Sequence, residues 1–464
     1  MKRPGQQPPS LREITRHEPV RGAILSSFVG RFPDDYLPWE KQRFHQPPAE
    51  AEAELETWRI ADGGQGIRPD ALKAEEWWAV LRAGRDAQAR PIPSLTTVDG
   101  TPFRFTLTDE VLRASEFITA QLSGDIGFDV DIENSPDRDR YIRSALEEEA
   151  ITSSQLEGAA TTRAVAKDML RTGRRPRDNS ERMILNNFLA MQRVRELTNR
   201  QMTPGIVREI HAIVTEATLD SPSDGGRLQR PDEARVVVMD TRDDTILHIP
   251  PPAEELPARL DRLCAFANAT EPGPYMPGVL RALTVHFMVS YDHYFVDGNG
   301  RTARALFYWT MLHHGHWLAE YLTISTILRK AYAQYANSFT ETEHDGGDLT
   351  YFFLYHLDVL RRAIEGLKGY ISRTISEQHA VRERLDLATG EFNLRQITVL
   401  ADACQEPRRR FTAGEIARRF GVTVQTGRND LDDLVTRGWM TRRRVGRRHL
   451  WEACGDLADR LKPG

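Results

Sequence analysis

The sequence predicts a mainly α protein: a helical bundle carrying one β-hairpin, preceded by an N-terminal accessory domain and followed by a winged helix-turn-helix. Three observations predict this. Apolar residues recur at helical spacing almost without interruption from about Asp137 to Arg384. Inside that run, "ARVVVMDTRDDTILHIPPP" (234–252) instead places two short apolar stretches around a polar turn and closes on three prolines. After about Leu387 the pattern resets: "FTAGEIARRFGVTVQTGRNDLDDLVTRGWMTRRRVGRRHLW" reads as helix, turn at Gly421, second helix from Thr423, and two short strands around Val445-Gly446. The expected organisation is 1–22 poorly ordered, 23–136 accessory, 137–386 helical bundle and 387–464 winged helix-turn-helix.

Residues 1–22 are rich in Pro, Arg and Gln, with nothing to bury. The accessory segment holds four of the eight tryptophans, Trp39, Trp58, Trp77 and Trp78, read as core rather than as a binding platform. "FHQPP" and "ARPIPSL" read as breaks, and "VDGTPFRFTL" as a hairpin alternating Phe103 and Phe105 with polar residues after an Asp-Gly turn. In the bundle, "DRYIRSALEEEAITSSQLEG" (139–158) puts Tyr141, Ile142, Ala145 and Leu146 on one stripe and ends at Gly158, a C-cap residue. Further helices fit 181–197, 203–218, 253–268, 276–292, 302–314, 324–340 and 349–384. A lone two-stranded hairpin is marginal in water, so the 235–249 hairpin must clamp something or lean on the bundle.

Composition narrows the class. Forty per cent hydrophobic and 28% charged residues fit a soluble globular protein. Cys264, Cys404 and Cys454 are too few and scattered for a disulfide framework or a cysteine metal site. The N-terminus lacks a signal-peptide apolar run, and no stretch approaches the roughly 18 consecutive apolar residues of a membrane span, so a cytoplasmic protein with no membrane partner is expected. The net charge of −5 is uneven: Gln405 to Leu450 holds twelve arginines, no lysine and five acids. That basic surplus marks a separate module.

The chemistry concentrates in "HYFVDGNGRTAR" (293–304). The helix 276–292 buries Leu280, Leu283, Phe287 and Tyr291 and delivers His293 at its C-terminal end. The next helix, expected to begin near Thr302, follows Gly298, Asn299 and Gly300, whose bare backbone can turn N–H groups toward an anion at a helix N-terminus. Arg301 and Arg304 are three apart and reach the same phosphate oxygens. Asp297 beside that anion suits Mg²⁺, which binds through one carboxylate plus phosphates, and His293 suits a base for an incoming hydroxyl. Taken singly these features are common and structural. Together within twelve residues they point to phosphoryl or nucleotidyl transfer.

The stretch resembles the signature of the Fic family, His-Pro-Phe-x-(Asp/Glu)-Gly-Asn-Gly-Arg-x-x-Arg, at every position but the second, where Tyr294 replaces proline. The resemblance spans roughly 137–384 and implies a Fic-type helical bundle that moves AMP from ATP to a Ser, Thr or Tyr hydroxyl of a protein target. It implies His293 as the base, Phe295 as the loop anchor and Asp297 as the ligand of Mg²⁺, or of Mn²⁺ in its place. Gly298, Asn299 and Gly300 would form the anion hole, with Arg301 and Arg304 on the phosphates. Tyr294 touches none of this chemistry and puts only the rigidity of the loop in question. The hairpin resembles the family's flap, which aligns the target by strand addition, with Thr245, Ile246, Leu247 and His248 as the docking residues. "ISTILRKAYAQYANSF" resembles the helix after the motif and makes Tyr335 either an adenine contact or a core aromatic.

"SSQLEG" (153–158) resembles the inhibitory motif (Ser/Thr)-x-x-x-Glu-(Gly/Asn) of many Fic proteins. Ser153 and Glu157 share a helix face, and Glu157 in a last turn opposes the helix dipole, so a cationic partner elsewhere is expected. The resemblance makes that partner Arg304 and the contact a brake on seating the γ-phosphate. The alternatives are a solvated glutamate and a de-AMPylating role in which Glu157 positions a water.

In the basic module Gln425, Thr426, Arg428 and Asn429 face outward on the second helix, and Arg442, Arg443, Arg444, Arg447 and Arg448 decorate the wing. These residues, above all Arg442 and Arg444 with the helix set, are candidate DNA contacts. Asp430, Asp432 and Asp433 on the same helix keep open a protein-interaction or dimerisation module, so a homodimer is compatible with the sequence. A DNA-binding regulator whose bundle only senses nucleotide is the reading from another class.

Overall fold

The computed structural model describes residues 88–124, 138–239, 246–271, 273–388, 392–405, 409–445, 448–455 and 457. The four tryptophans of the accessory segment, the N-terminal 22 residues and Thr245 lie outside the described residues. The chain is mainly α with small antiparallel sheets, and it forms two compact units. One contains the described residues up to 124 and 142–364; the other contains 138–141 and the described residues from 365 on.

The first unit opens with a hairpin of β1 (Arg90–Thr96) and β2 (Pro102–Phe105) and helix α1 (Asp109–Ser123). "ARPIPSL", expected to be a break, is therefore a strand. Two-stranded pairing leaves an edge on each strand, where Pro91 and Pro93 cost no ladder donor. The hairpin is not a separate accessory domain. Phe103 packs edge-on against Phe287 and Tyr291, with centroids 5.4 and 5.1 Å away, and the Arg104 guanidinium donates to the carbonyls of Asp345 and Gly346.

Helices α2 (Arg138–Leu156), α3 (Arg163–Thr172), α4 (Asn179–Leu197) and α5 (Pro204–Val214) follow. Asp178 and Thr203 cap α4 and α5 by accepting from Glu181 N and Ile206 N, and Pro204 starts α5 where its missing N–H costs nothing. The flap strands β3 (Val238–Met239) and β4 (Ile246–His248) pair antiparallel with a bulge. Then come α6 (Leu256–Ala267), α7 (Gly278–Asp292) and α8 (Asn299–His313). Helices α7 and α8 pack on each other and are buried on nearly every face, which is why their sequences carry apolar residues all round. The expected single helix over 324–340 is two, α9 (Ile324–Lys330) and α10 (Tyr332–His344), broken at Ala331, which leaves helical geometry at φ −125°, ψ 42°. Helix α11 (Thr350–Ala388) continues across the boundary expected at 386/387.

The second unit holds α12 (Leu394–Gln405), β5 (Arg410–Phe411), α13 (Ala413–Phe420), α14 (Val424–Thr436), β6 (Met440–Val445) and β7 (Arg448–Ala453), the strands in the order β5-β7-β6. Its core is Leu400, Phe411, Ile416, Leu431, Leu434, Met440 and Trp451. Among the described residues no helix is long and apolar enough to cross a membrane, and none of the three cysteines forms a disulfide.

Candidate active site

The site lies where α7 hands the chain to α8. His293 caps α7 in the left-handed region, at φ 48° and ψ 58°, which folds its ring back so that Nδ1 lies 3.2 Å from the Ser290 carbonyl. A carbonyl only accepts, so Nδ1 carries the hydrogen and Nε2 keeps its lone pair. Burial is the main force on this imidazole; despite the Ser290 bond, its pKa falls to about 4, aided by the nearby His248 and Arg235. The ring is neutral at physiological pH.

The loop after His293 is held from three sides. Phe295 is buried and stacks on His211, with centroids 3.7 Å apart and planes within 6°. Asn299 accepts from Phe295 N at 3.0 Å and donates to Phe295 O at 2.7 Å. Its side chain, expected in the anion hole, is instead a lock on the loop, and only its backbone faces the helix start. His211 Nδ1 accepts from Gly226 N at 2.9 Å, which leaves Nε2 to donate to the Asp297 carbonyl at 2.8 Å. Tyr294 does not loosen the loop: its buried hydroxyl donates to Asp292 at 2.6 Å, and Asp292 also accepts from Arg259 at 2.8 Å. Burial raises the Asp292 pKa even against Arg259.

Helix α8 begins at Asn299, three residues earlier than expected, because Gly298 at φ 79° is the cap. A Cβ on Gly298 would stand 2.6 Å from Thr215 Cγ2. Gly300 lies inside the first turn rather than in the loop, and glycine there answers a different need: a Cβ would collide with Glu157 Oε1. The Glu157 carboxylate thus rests against the N-terminal turn of α8, where orphan N–H groups favour an anion.

The two arginines part company. Arg301 is buried, donates Nη1 to the Val214 carbonyl at 2.9 Å, and meets Asp297 Oδ2 through Nη2 at 3.2 Å. Arg304, only 2% exposed at its side chain, donates Nε to Ser153 Oγ at 2.7 Å and Nη2 to Ser153 O at 3.0 Å and Glu157 Oε1 at 2.8 Å. Glu157 itself follows α2 rather than sitting in its last turn, and its side chain is 28% exposed. Asp297 is 57% exposed, and among the described residues no group of three or more metal-ligating side chains forms. A cation here would rest on that one carboxylate and on phosphates, a donor set that suits Mg²⁺.

Tyr335 belongs to the core. Its hydroxyl meets His286 Nε2 at 3.0 Å and its ring packs edge-on against Phe339. On the flap, Ile246 is exposed, Leu247 partly so, and His248 is buried between Glu343 and the Tyr291 carbonyl, at 2.7 and 2.6 Å. His248 is therefore a fastening and not a docking residue.

Four participants were not singled out in the sequence. His211 lies on α5 far from the motif. Arg235 Nη2 donates to the carbonyls of Asp292 and His293 at 2.8 and 3.1 Å, tying the base of the β3–β4 hairpin to the turn at His293. Arg259 steadies Asp292. Glu149 stands one turn before Ser153 and about two turns before Glu157; it is fully buried and accepts from the Ser325 hydroxyl and from Ser325 N at 3.1 Å. Burial raises its pKa to about 7 against those bonds and the Arg304 charge. Only the i, i+4 spacing of Glu149, Ser153 and Glu157 could have signalled it.

Residues 201–311, which include His211 and the whole motif, match the family model described as Fic/DOC family. A Fic family protein from Desulfovibrio desulfuricans G20 is 18% identical over 75% of this chain and 97% of its own, with a TM-score of 0.47. Fic-1 (residues 134–508) of C. elegans is 17% identical over 57% and 72%, at a TM-score of 0.42. A Fic domain containing signaling protein from Bacteroides thetaiotaomicron is 19% identical over 56% and 97%, at 0.43. No curated protein matches the chain.

Proposed function

We propose, from the premise that this chain carries a Fic/DOC-family domain, that it is an autoinhibited protein adenylyltransferase. AMP would pass from ATP to a Ser, Thr or Tyr hydroxyl of a protein target, this chain included. The observation that carries the reading is the bare Nε2 of His293, held by its Nδ1 contact to Ser290 beside the N-terminus of α8. The target's hydroxyl oxygen bonds to the α-phosphorus, its proton passes to Nε2, and the bond from that phosphorus to the bridging oxygen breaks, releasing pyrophosphate. Arg301 and the first N–H groups of α8 face the phosphates, and the flap around Ile246 offers the target a strand edge. Asp297 would hold the Mg²⁺ or Mn²⁺ that neutralises phosphate charge when bound. Arg304 is occupied by Ser153 and Glu157, and this is the brake.

Incubation of lysate and purified protein with α-labelled ATP tests the reading. Labelled protein bands are expected, and His293→Ala should abolish them while leaving ATP binding largely intact. Labelling that survives His293→Ala, or an equal loss of ATP affinity, would remove His293 as the base. A de-AMPylating mode is favoured by one observation: the Glu157 carboxylate is 28% exposed and rests at the N-terminus of α8, where it could hold a water. Loss of AMP from a pre-labelled protein with wild type but not with Glu157→Gly would establish that mode instead.

A further inference from the structure

The acids on α14 that kept a protein-interaction module open are all engaged inside their own unit. Asp430 accepts from Arg395 at 2.7 and 3.1 Å and from Asn393 at 2.8 Å. Asp433 accepts from Gln396 at 2.7 Å and pairs with Arg437 at 3.0 Å. Asp432 accepts from the Trp451 indole at 3.0 Å and from Arg442 at 3.2 Å. Their charges are drawn to the flanks and inner side of the helix.

The outer face carries a different chemistry. Val424, Gln425, Arg428 and Asn429 are exposed and fall on one face at i, i+1, i+4 and i+5. Gln425 donates to Asn429 at 2.8 Å, which sets two amides side by side, and Arg428 has no acid partner among the described residues. Thr426, expected on this face, instead serves the cap: its N donates to Thr423 Oγ1 at 3.1 Å, and the two hydroxyls are 2.8 Å apart. Arg442, Arg443 and Arg444 are exposed on β6. Arg442 on β6 and Trp451 on β7 both reach Asp432 of α14, at 3.2 and 3.0 Å, and Arg442 Nε lies 3.3 Å from His449 Nδ1, so helix and hairpin present one continuous surface. The two helices are pressed together at Gly427, where a Cβ would stand 2.8 Å from the Ala413 carbonyl, so α14 is held rigidly on α13.

We infer that α14 and the β6–β7 hairpin form a reading surface for double-stranded DNA, with Gln425, Arg428 and Asn429 on base edges in the major groove and Arg442 and Arg444, which share one face of β6, on phosphates. Amide side chains match the paired donor and acceptor of adenine, guanidinium matches the two acceptors of guanine, and Val424 is placed for a thymine methyl. An acidic protein partner would satisfy the arginines but leave the aligned amides without a purpose.

The test uses the full chain and two fluorescein-labelled duplexes of about 30 base pairs, one random and one selected from a random pool by the protein. Binding to both should weaken steeply with salt, with a logarithmic slope of about −0.9 per phosphate contact. Arg444→Ala should weaken binding to both duplexes alike and flatten the slope by about one such contact. Arg428→Ala should weaken binding to the selected duplex about 5- to 150-fold more than binding to the random one. Circular dichroism of each variant excludes unfolding, and neither variant removes the Asp432 contact of Arg442. Absence of binding to either duplex at low salt would overturn the inference. So would equal binding by wild type and Arg444→Ala, or salt-insensitive self-association through this face in sedimentation.

Discussion

Replacing Glu157 by glycine takes away one of three hydrogen bonds on Arg304 and leaves the two to Ser153. Breaking a fully buried pair costs about 3–5 kcal/mol, and an exposed pair is worth about 0–1 kcal/mol. Arg304 is 2% exposed and Glu157 28%, so the pair lies between these limits, and about 2 kcal/mol is expected. For a unit of this size that lowers Tm by about 4–8 °C. In the wild type the same contact must open before the nucleotide's phosphates can meet Arg304. Removing about 2 kcal/mol from that step should raise self-labelling by about 30-fold. Nucleotide phosphate then replaces the lost carboxylate, so ATP should raise the Tm of Glu157→Gly more than that of wild type. The assay is labelling with α-labelled ATP beside thermal shift with and without Mg²⁺-ATP. Glu157→Gly combined with His293→Ala should keep the ATP-dependent shift and show no labelling. If Glu157→Gly binds Mg²⁺-ATP yet labels no faster than wild type, the reasoning about Arg304 is wrong.

Three other expectations follow from single contacts. With the His293 pKa depressed to about 4, the base stays neutral as pH falls, so the acid limb of the labelling rate in Glu157→Gly should lie near that value; a limb at 6.5 would refute the buried-imidazole account. Glu149, raised from 4.5 to about 7, keeps a proton in the folded state that the unfolded chain has lost, so its contribution to stability declines as pH rises through that window. Buried His211 and His356, lowered to about 4 and about 3, act with the opposite sign, so the check is a comparison: Glu149→Gln should lose less stability than wild type between pH 5 and 7 in urea titrations. Tyr294→Phe leaves Asp292 with Arg259 alone in a buried site and should cost about 1–3 kcal/mol in the same titrations, and an unchanged midpoint would mean the hydroxyl locks nothing.

The parts of the fold that periodicity and glycine encode were legible in advance: the helical run, the flap strands, and the stretch that carries His293, Asp297, Arg301 and Arg304. The Glu157–Arg304 contact was also foreseen, from the resemblance to an inhibitory motif; the expected misfit with the helix dipole rested on a last-turn position that Glu157 does not occupy. What could not be read was placement. Asn299 and Gly300 looked like turn residues because Asn and Gly favour turns, whereas one locks Phe295 and the other clears space for a carboxylate from a distant helix. The break at Ala331 carries no proline or glycine, so nothing local announced it. Pro91 and Pro93 read as interruptions because their strand has partners only on one side, a fact of tertiary pairing. His211 and Arg235 act through backbone atoms of the motif, and a carbonyl's partner leaves no trace in composition.

The left-handed turn at His293 has a consequence for how this chain can be changed. A side chain at φ 48° sits in a conformation that glycine adopts freely, at a cost of about 1–2 kcal/mol for other residues. The position is therefore one where the fold and the chemistry want different amino acids. Selection for thermal robustness alone would favour glycine here and discard the imidazole, and the Arg235 bond to the His293 carbonyl, with the Asn299 and Tyr294 locks on either side, is what allows the fold to tolerate histidine.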